Sequence, residues 1–265
     1  MLAARSAPVV VASHPRSGTH LLMDFLRRQF EACQSWKWWG ERLDRLYCSI
    51  DELNASRGRL DEATAYRILS RTERPLVKTH AWPNLNTVFL EEHHDGLPDK
   101  WRTWLTQNGT FLYVLRDVRT VMASYQMFRR RFDNDAKGSL SAFVRGSDTP
   151  GDPNRIAQWA QHVQAWQDLP NSHLFRFEDL IHDTQNQLDR LATVLEETPI
   201  GAKPLLPPPF ESIWGSRMAR LFSTRPDSTA IIGVDTQDWE EHLTTEDQAF
   251  IVEVAGDVMR EFNYL

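Results

Sequence analysis

A run of apolar residues, Val9 to Ala12, leads without a spacer into the polar segment Ser13-His14-Pro15-Arg16-Ser17-Gly18-Thr19-His20. Beyond it, Leu21, Leu22, Phe25 and Leu26 fall on one helical face. No other feature constrains the fold as much, because a buried strand turning through a short polar loop into a helix is the building unit of parallel α/β sheets. The same unit gathers loop N–H groups and an open helix N-terminus around one point, which suits an anion, and Arg16 adds a fixed positive charge there. An ordinary strand-to-helix turn also uses a glycine and hydroxyls, so the segment gains its weight from what accompanies it.

Counting the first run as Pro8–Ser13, three more segments read as strands: Pro75–His80, Thr110–Asp117 and His173–Glu178. Helical patterns separate them, and Val118, Val121, Met122 and Tyr125 share a face after the third. This alternation predicts an α/β fold, a three-layer α/β/α arrangement around a central, mainly parallel sheet. Ligands of such sheets bind at the carboxyl ends of the strands, and Arg16, His80 and Arg116 all fall at those ends. The stretch from Trp36 to Arg74 is charged and reads as helical. Its Trp36, Trp38 and Trp39 serve either a binding wall or packing under a loop. The segment Lys203–Pro209 must be a loop, a lid or a plain surface connection, because Pro207-Pro208-Pro209 cannot continue a helix. With 265 residues, 41% of them hydrophobic, the chain is expected to form one domain over residues 1–265.

The formal charge of -6 argues against a nucleic-acid partner. Two cysteines, Cys33 and Cys48, make no disulfide framework and suit a reducing compartment. The apolar run at the N-terminus is too short for a signal sequence, and no stretch of about 18 apolar residues could span a bilayer, so a cytoplasmic protein without a membrane partner is expected. The acidic and histidine-rich Glu91-Glu92-His93-His94-Asp95 lacks a spaced partner and reads as a solvated turn; no metal is expected.

Alternation along the second strand places Lys78 and His80 on one side, at its exit. A His there can take a proton from an acceptor hydroxyl near neutral pH, and a Lys can offset charge on a leaving oxygen. A purely structural strand-end His is the competing reading. After the third strand, Arg116 and Ser124 stand one strand exit and about two helical turns apart, so a forked cation and a short hydroxyl can reach one side of a second phosphate. Asp117 between them reads as a helix N-cap.

Together these segments resemble the PAPS-dependent sulfotransferases of the cytosolic type. Ser13–Leu22 is similar to that family's 5′-phosphosulfate loop. Val77–Pro83, with Lys78-Thr79-His80, is similar to its element carrying the catalytic His, and YVLRDVRTVMASY (Tyr113–Tyr125) to its 3′-phosphate element. LFRFEDL (Leu174–Leu180) is similar to its fourth strand, where an aromatic residue before Glu-Asp faces the nucleotide. All four occur in the family's order. The resemblance implies a P-loop NTPase-like sulfotransferase fold and 3′-phosphoadenosine 5′-phosphosulfate (PAPS) as cofactor, with no metal. It implies that Arg16, Ser17, Gly18, Thr19 and His20 hold the 5′-phosphate and that Arg116 and Ser124 hold the 3′-phosphate. It further implies that His80 is the general base toward a hydroxyl or amine, with Lys78 and Arg16 stabilising charge in an in-line transfer.

The chain departs from the family pattern in several places. Arg16 stands where a Lys is usual, Leu21 where a Trp often packs on adenine, and Phe177 where a Tyr is usual. Phe210 or Phe222 is a candidate for the missing ring. The C-terminal element that closes over the 3′-phosphate has only an echo, from Gly233 to Trp239 and on to Thr244, with Arg225 upstream as a candidate phosphate ligand. A P-loop kinase would need a Gly-Lys pair that the loop lacks. A non-catalytic nucleotide binder would have no use for the Lys78/His80 pair. The expected partner is a small-molecule acceptor; its identity and the oligomeric state are open at this level.

Overall fold

Five strands form one sheet: β1 (Val9–Ser13), β2 (Cys48–Ser49), β3 (Leu76–Thr79), β4 (Thr110–Leu115) and β5 (Ser172–Arg176). Their order is β2-β3-β1-β4-β5, and every pairing is parallel. This computed structural model describes residues 7–36, 41, 43–53, 60–85, 97–130, 133–206 and 239–265. Helices connect and cover the strands: α1 (Thr19–Gln29), α2 (Glu62–Leu69), α3 (Asp99–Asn108), α4 (Val118–Arg129), α5 (Leu140–Arg145) and α6 (Arg155–Gln167). They continue as α7 (Phe177–His182), α8 (Thr184–Leu195), α9 (Trp239–His242) and α10 (Thr245–Glu261).

The sheet is buried on both faces, which is why its strands read as unbroken apolar runs. Val10, Ala12, Val77, Phe111, Tyr113 and Leu115 enter one core, with Trp101, Trp159 and Trp166 from α3 and α6 and Ile251 and Met259 from α10. Val9, Val11, Leu76, Leu112, Val114 and Phe175 enter the other, against Leu22, Phe25 and Leu26 of α1 and Leu188 and Leu191 of α8. The two sets alternate along each strand, as a period of two requires.

Three expectations need adjustment. β3 and β4 end at Thr79 and Leu115, so His80, Arg116 and Asp117 lie just past the strands. β5 ends at Arg176, and Phe177 and Glu178 instead open α7, where Glu178 and Asp179 in the first turn favour a helix start. The stretch from Trp36 to Arg74 is helical only in α2 and in short 3-10 turns, and it contributes β2 at the sheet edge. A two-residue strand is too short to carry a periodic signal. Trp36 is half exposed and lies 5.0 Å from the Arg71 guanidinium, whereas Trp38 and Trp39 lie outside the described residues. So do Glu91–Asp95, Pro207–Pro209, Phe210, Phe222, Arg225 and Gly233–Asp238.

Register lines up the strand exits. Ala12 pairs with Thr79, Ser13 with Val114, and Leu115 with Arg176. The residues that follow each strand therefore meet along one edge of the sheet.

The C-terminal helix is fixed to that frame by Asp247. Thr244 and Asp247 form a capping box, and the Asp247 carboxylate also accepts from Ser141 Oγ at 2.7 Å and from the Arg145 guanidinium. Burial by itself would raise this carboxyl, but the donors from Ser141, Arg145 and Thr244 outweigh it and bring it down to about 2. A carboxyl whose folded pKa is depressed contributes stability above its unfolded value, about pH 4, and loses it as pH falls toward the folded value. Asp247→Asn is therefore expected to lower stability at neutral pH by about 2 kcal/mol. Urea melts should also show a shallower loss of stability between pH 4 and pH 2 in the variant than in the unaltered protein; equal acid slopes would contradict this account.

Candidate active site

The loop from His14 to Gly18 closes on itself, with Ser17 N–H donating to His14 O at 3.2 Å. Two residues in it have left-handed backbone, Arg16 at φ 70° and Gly18 at φ 108°. Gly18 cannot be replaced without strain, because a Cβ there would lie 2.4 Å from the Phe177 ring. Gly18 sits at the N-cap of α1 without supplying a side-chain cap, so the first N–H groups of the helix face forward. Beside them the Ser17 hydroxyl is buried and has no hydrogen-bond partner. Thr19 Oγ1 lies 2.6 Å from Ser13 Oγ, and His20 Nδ1 lies 2.7 Å from the Tyr47 hydroxyl.

His80 leaves β3 directly beneath this loop. Its Nδ1 is 2.8 Å from the Ser13 carbonyl oxygen and 3.4 Å from Ser13 Oγ. A carbonyl only accepts, so Nδ1 carries the proton and Nε2 keeps its lone pair. Burial, and then the charge of Lys78, hold His80 well below the ordinary imidazole value despite the Ser13 bond. His20 is likewise held down by burial and then by Lys78 and Arg16. Both rings are neutral at physiological pH.

Asp51, just after β2, escaped the reading of the sequence and organises this corner. One of its carboxylate oxygens accepts from Thr79 Oγ1 at 2.7 Å; the other accepts from His80 N–H at 2.9 Å and stands 3.7 Å from Lys78 Nζ. A single aspartate outside any motif, contacting residues almost thirty positions away, leaves no local signal.

On the other side of β1, Arg16 Nε donates to Ser124 Oγ at 3.2 Å, and the guanidinium lies 5.3 Å from the Phe128 ring centroid. The structure thus joins Ser124 to the first loop. A hydroxyl that accepts from Arg16 still has its own proton to donate. Arg116 is buried, with its guanidinium 4.1 Å from the Phe177 ring centroid. Burial lowers its pKa, opposed by the nearby Glu178, Tyr264 and Asp117. Asp117 is the N-cap of α4, its side chain accepting from Arg119 N–H at 2.9 Å.

The C-terminus closes this corner, a second feature that no motif announces. Glu178 accepts from Asp117 N–H at 3.1 Å and from the Tyr264 hydroxyl at 2.9 Å, and Arg119 donates to the Tyr264 carbonyl at 2.9 Å. Of the sequence-selected residues, Arg16, Ser17, Gly18, Thr19, His20, Lys78, His80, Arg116, Ser124 and Phe177 all belong to this one edge of the sheet. Arg225 lies outside the described residues. Among the described residues there is no cluster of His, Cys, Asp or Glu that could hold a metal ion.

The solved structures with this fold include mouse sulfotransferase SULT7A1 complexed with PAP, at 16% identity and a TM-score of 0.52, covering 97% of this chain and 85% of that one. They also include retinol dehydratase in complex with androsterone and inactive cofactor PAP, at 18% identity and a TM-score of 0.54, covering 97% and 82%. The same enzyme with retinol and PAP has a TM-score of 0.54 at 16% identity, covering 97% and 82%. A search of curated proteins finds no match. The sulfotransferase domain family matches residues 6–203. That match runs from the strand before the anion loop, through every strand exit described above, to the end of α8 and beyond, and the chain belongs to the sulfotransferase domain family.

Proposed function

We propose that the protein transfers a sulfuryl group from PAPS to a hydroxyl or amine of a small-molecule acceptor, with His80 as general base. The observation that carries this reading is the placement of His80. Its ring is held as the Nδ1–H tautomer by Ser13, with the basic Nε2 left over, beside Lys78 and the loop that bears Arg16. The binding residues suit a phosphate-bearing nucleotide on two counts: the buried Ser17 hydroxyl has no partner, and Gly18 keeps the loop bare where Phe177 approaches. PAPS-bound catalysis draws on the cofactor for the sulfuryl group and its phosphate leaving group. The PAP-bound structures with the same fold are in keeping with that cofactor.

The protein's own residues divide the work. The loop N–H groups, Ser17, Thr19 and His20 hold a 5′-phosphate at the start of α1. Arg116 supplies a permanent charge for a 3′-phosphate, Ser124 a hydroxyl proton, and Phe177 a ring surface. Arg225 is assigned to the same phosphate from its place in the sequence. His80 Nε2 takes the acceptor proton, while Lys78 and Arg16 stabilise negative charge that grows as the transfer proceeds. Positioning and electrostatics suffice for such a transfer, as in phosphoryl transfer.

Residues 1–265 are taken as one sulfotransferase unit, in keeping with α10 entering the core built on β1, β3 and β4. A cytoplasmic setting accords with two free, buried cysteines, Cys33 and Cys48, whose thiols burial pushes up to about 12. Among the described residues no helix is long and apolar enough to cross a membrane.

Adenosine 3′,5′-bisphosphate at a hundredfold its dissociation constant should stabilise the protein by about 2.7 kcal/mol and raise Tm by about 5 °C, whereas AMP and ATP should do less. A larger shift with ATP would instead favour a phosphotransferase. In Arg116→Ala the bisphosphate should lose its advantage over AMP, since the group that distinguishes them has lost its cation. His80→Ala should keep the bisphosphate shift but release PAP from the sulfated donor roughly 10²–10⁴-fold more slowly with a panel of phenols, alcohols and amines. Turnover at the unaltered rate in that variant would remove His80 from the role of base.

A further inference from the structure

Behind His80, buried side chains form a second layer that the transfer chemistry does not itself use. Tyr113 on β4 and His162 and Trp166 on α6 are fully buried. His14 N–H donates to the Tyr113 oxygen at 3.3 Å, and the Tyr113 oxygen lies 2.8 Å from His162 Nδ1. His162 Nε2 lies 3.1 Å from the Ala81 carbonyl, which also accepts from Trp166 Nε1 at 3.1 Å. The proton positions follow from the acceptors. The Trp166 indole N–H reaches both the Ala81 carbonyl, at 3.1 Å, and His162 Nε2, at 3.3 Å. With the nearer carbonyl as its acceptor, His162 carries its proton on Nε2 toward that carbonyl, and Tyr113 donates to the bare Nδ1. Burial, and then His14, hold His162 down to about 3, so the ring is neutral.

The His14 N–H at one end belongs to the same peptide unit as the Ser13 carbonyl that receives His80 Nδ1–H. At the other end, Ala81 is the residue after His80. The bonds then run in one direction: from His80 Nδ1–H to the Ser13–His14 peptide, to Tyr113, to His162, and on to the Ala81 carbonyl, one residue past His80. Each donor in such a chain strengthens the next, because accepting a bond polarises a group toward donating one.

We propose that Tyr113 and His162 are positioning residues that hold His80 in its Nδ1–H form and support the charge its ring gains on taking a proton. The proposal rests on His80 being the base of the transfer reaction. It differs from a packing role, since apolar replacements that fill the same space would break it.

The test is the protonation pattern of the His80 ring, read by long-range proton–nitrogen correlation spectra of the whole protein, together with steady-state kinetics. The unaltered protein should show the Nδ1–H form. Tyr113→Phe, shown to be folded by near-UV circular dichroism, should gain the Nε2–H form, with kcat about tenfold lower and acceptor KM within about twofold. His162→Asn retains an acceptor for the Tyr113 hydroxyl and should stay closer to the unaltered pattern, whereas His162→Leu should resemble Tyr113→Phe. An Nε2–H ring in the unaltered protein, or an unchanged ring in folded Tyr113→Phe or His162→Leu, overturns the relay alone. If the rings change as expected but His80→Ala transfers at the unaltered rate, the base assignment fails and the positioning role fails with it.

Discussion

The pairing of β1 with β3 on one side and β4 on the other is the constraint on which the site depends. These pairings fix Ala12 beside Thr79 and Ser13 beside Val114, so the loop after β1 opens between two other strand exits. Each exit carries one kind of chemistry: Arg16 and the helix N-terminus after β1, His80 after β3, and Arg116 after β4. A one-residue slip of β3 would exchange its two faces. It would send Lys78 into the core occupied by Val77, and the buried faces on both sides of the sheet resist such a slip. Apolar packing thus sets the spacing of the polar groups at the strand exits.

Cations are costly to crowd together, yet a protein of net charge -6 gathers Arg16, Lys78 and Arg116 along one edge. Each is held by a different device. Lys78 faces the Asp51 carboxylate, Arg16 leans on a neutral hydroxyl and an aromatic ring, and Arg116 stacks on Phe177 near Glu178. The aromatic rings of Phe128 and Phe177 orient the two guanidinium groups beneath which they lie. Burial first, and then Lys78 for both rings and Arg16 for His20, hold His20 and His80 well below the ordinary imidazole value.

The residues that could be read from the sequence are those whose chemistry is local. Arg16 to His20 sit in one loop and Lys78 and His80 are two positions apart, so spacing in the chain reports spacing in the molecule, whereas the bond from Arg16 to Ser124 spans 108 positions and leaves no local signal. Asp51, Tyr47 and Tyr264 could not be read in this way. Asp51 reaches Thr79 and His80, Tyr47 reaches His20, and Tyr264 reaches Glu178, 86 positions away. None sits in a patterned segment. β2 was hidden for a related reason: two residues define no period, and only pairing to β3 makes Cys48 and Ser49 a strand. Phe177, expected in a strand, is the first residue of a helix, where its ring lies beside Gly18 and the Arg116 guanidinium. Its register at the strand exit was legible, but the helix start was overlooked although Glu178 and Asp179 occupy the first turn.

The arginine at position 16 has its own explanation in the geometry. At φ 70° a non-glycine residue carries strain of about 1–2 kcal/mol, so its side chain must be useful enough for the loop to retain it. Arg16 Nε donates to Ser124 Oγ, one of the five N–H donors of a planar guanidinium. A lysine in the same place has one ammonium, which would have to serve both the hydroxyl and the anion from a single centre. An arginine ties the β1 loop to α4 through a single one of its donors. The link between the loop and Ser124 and the departure from the lysine usual in the resembled family are therefore one feature: a planar side chain with several donors joins the β1 loop to α4.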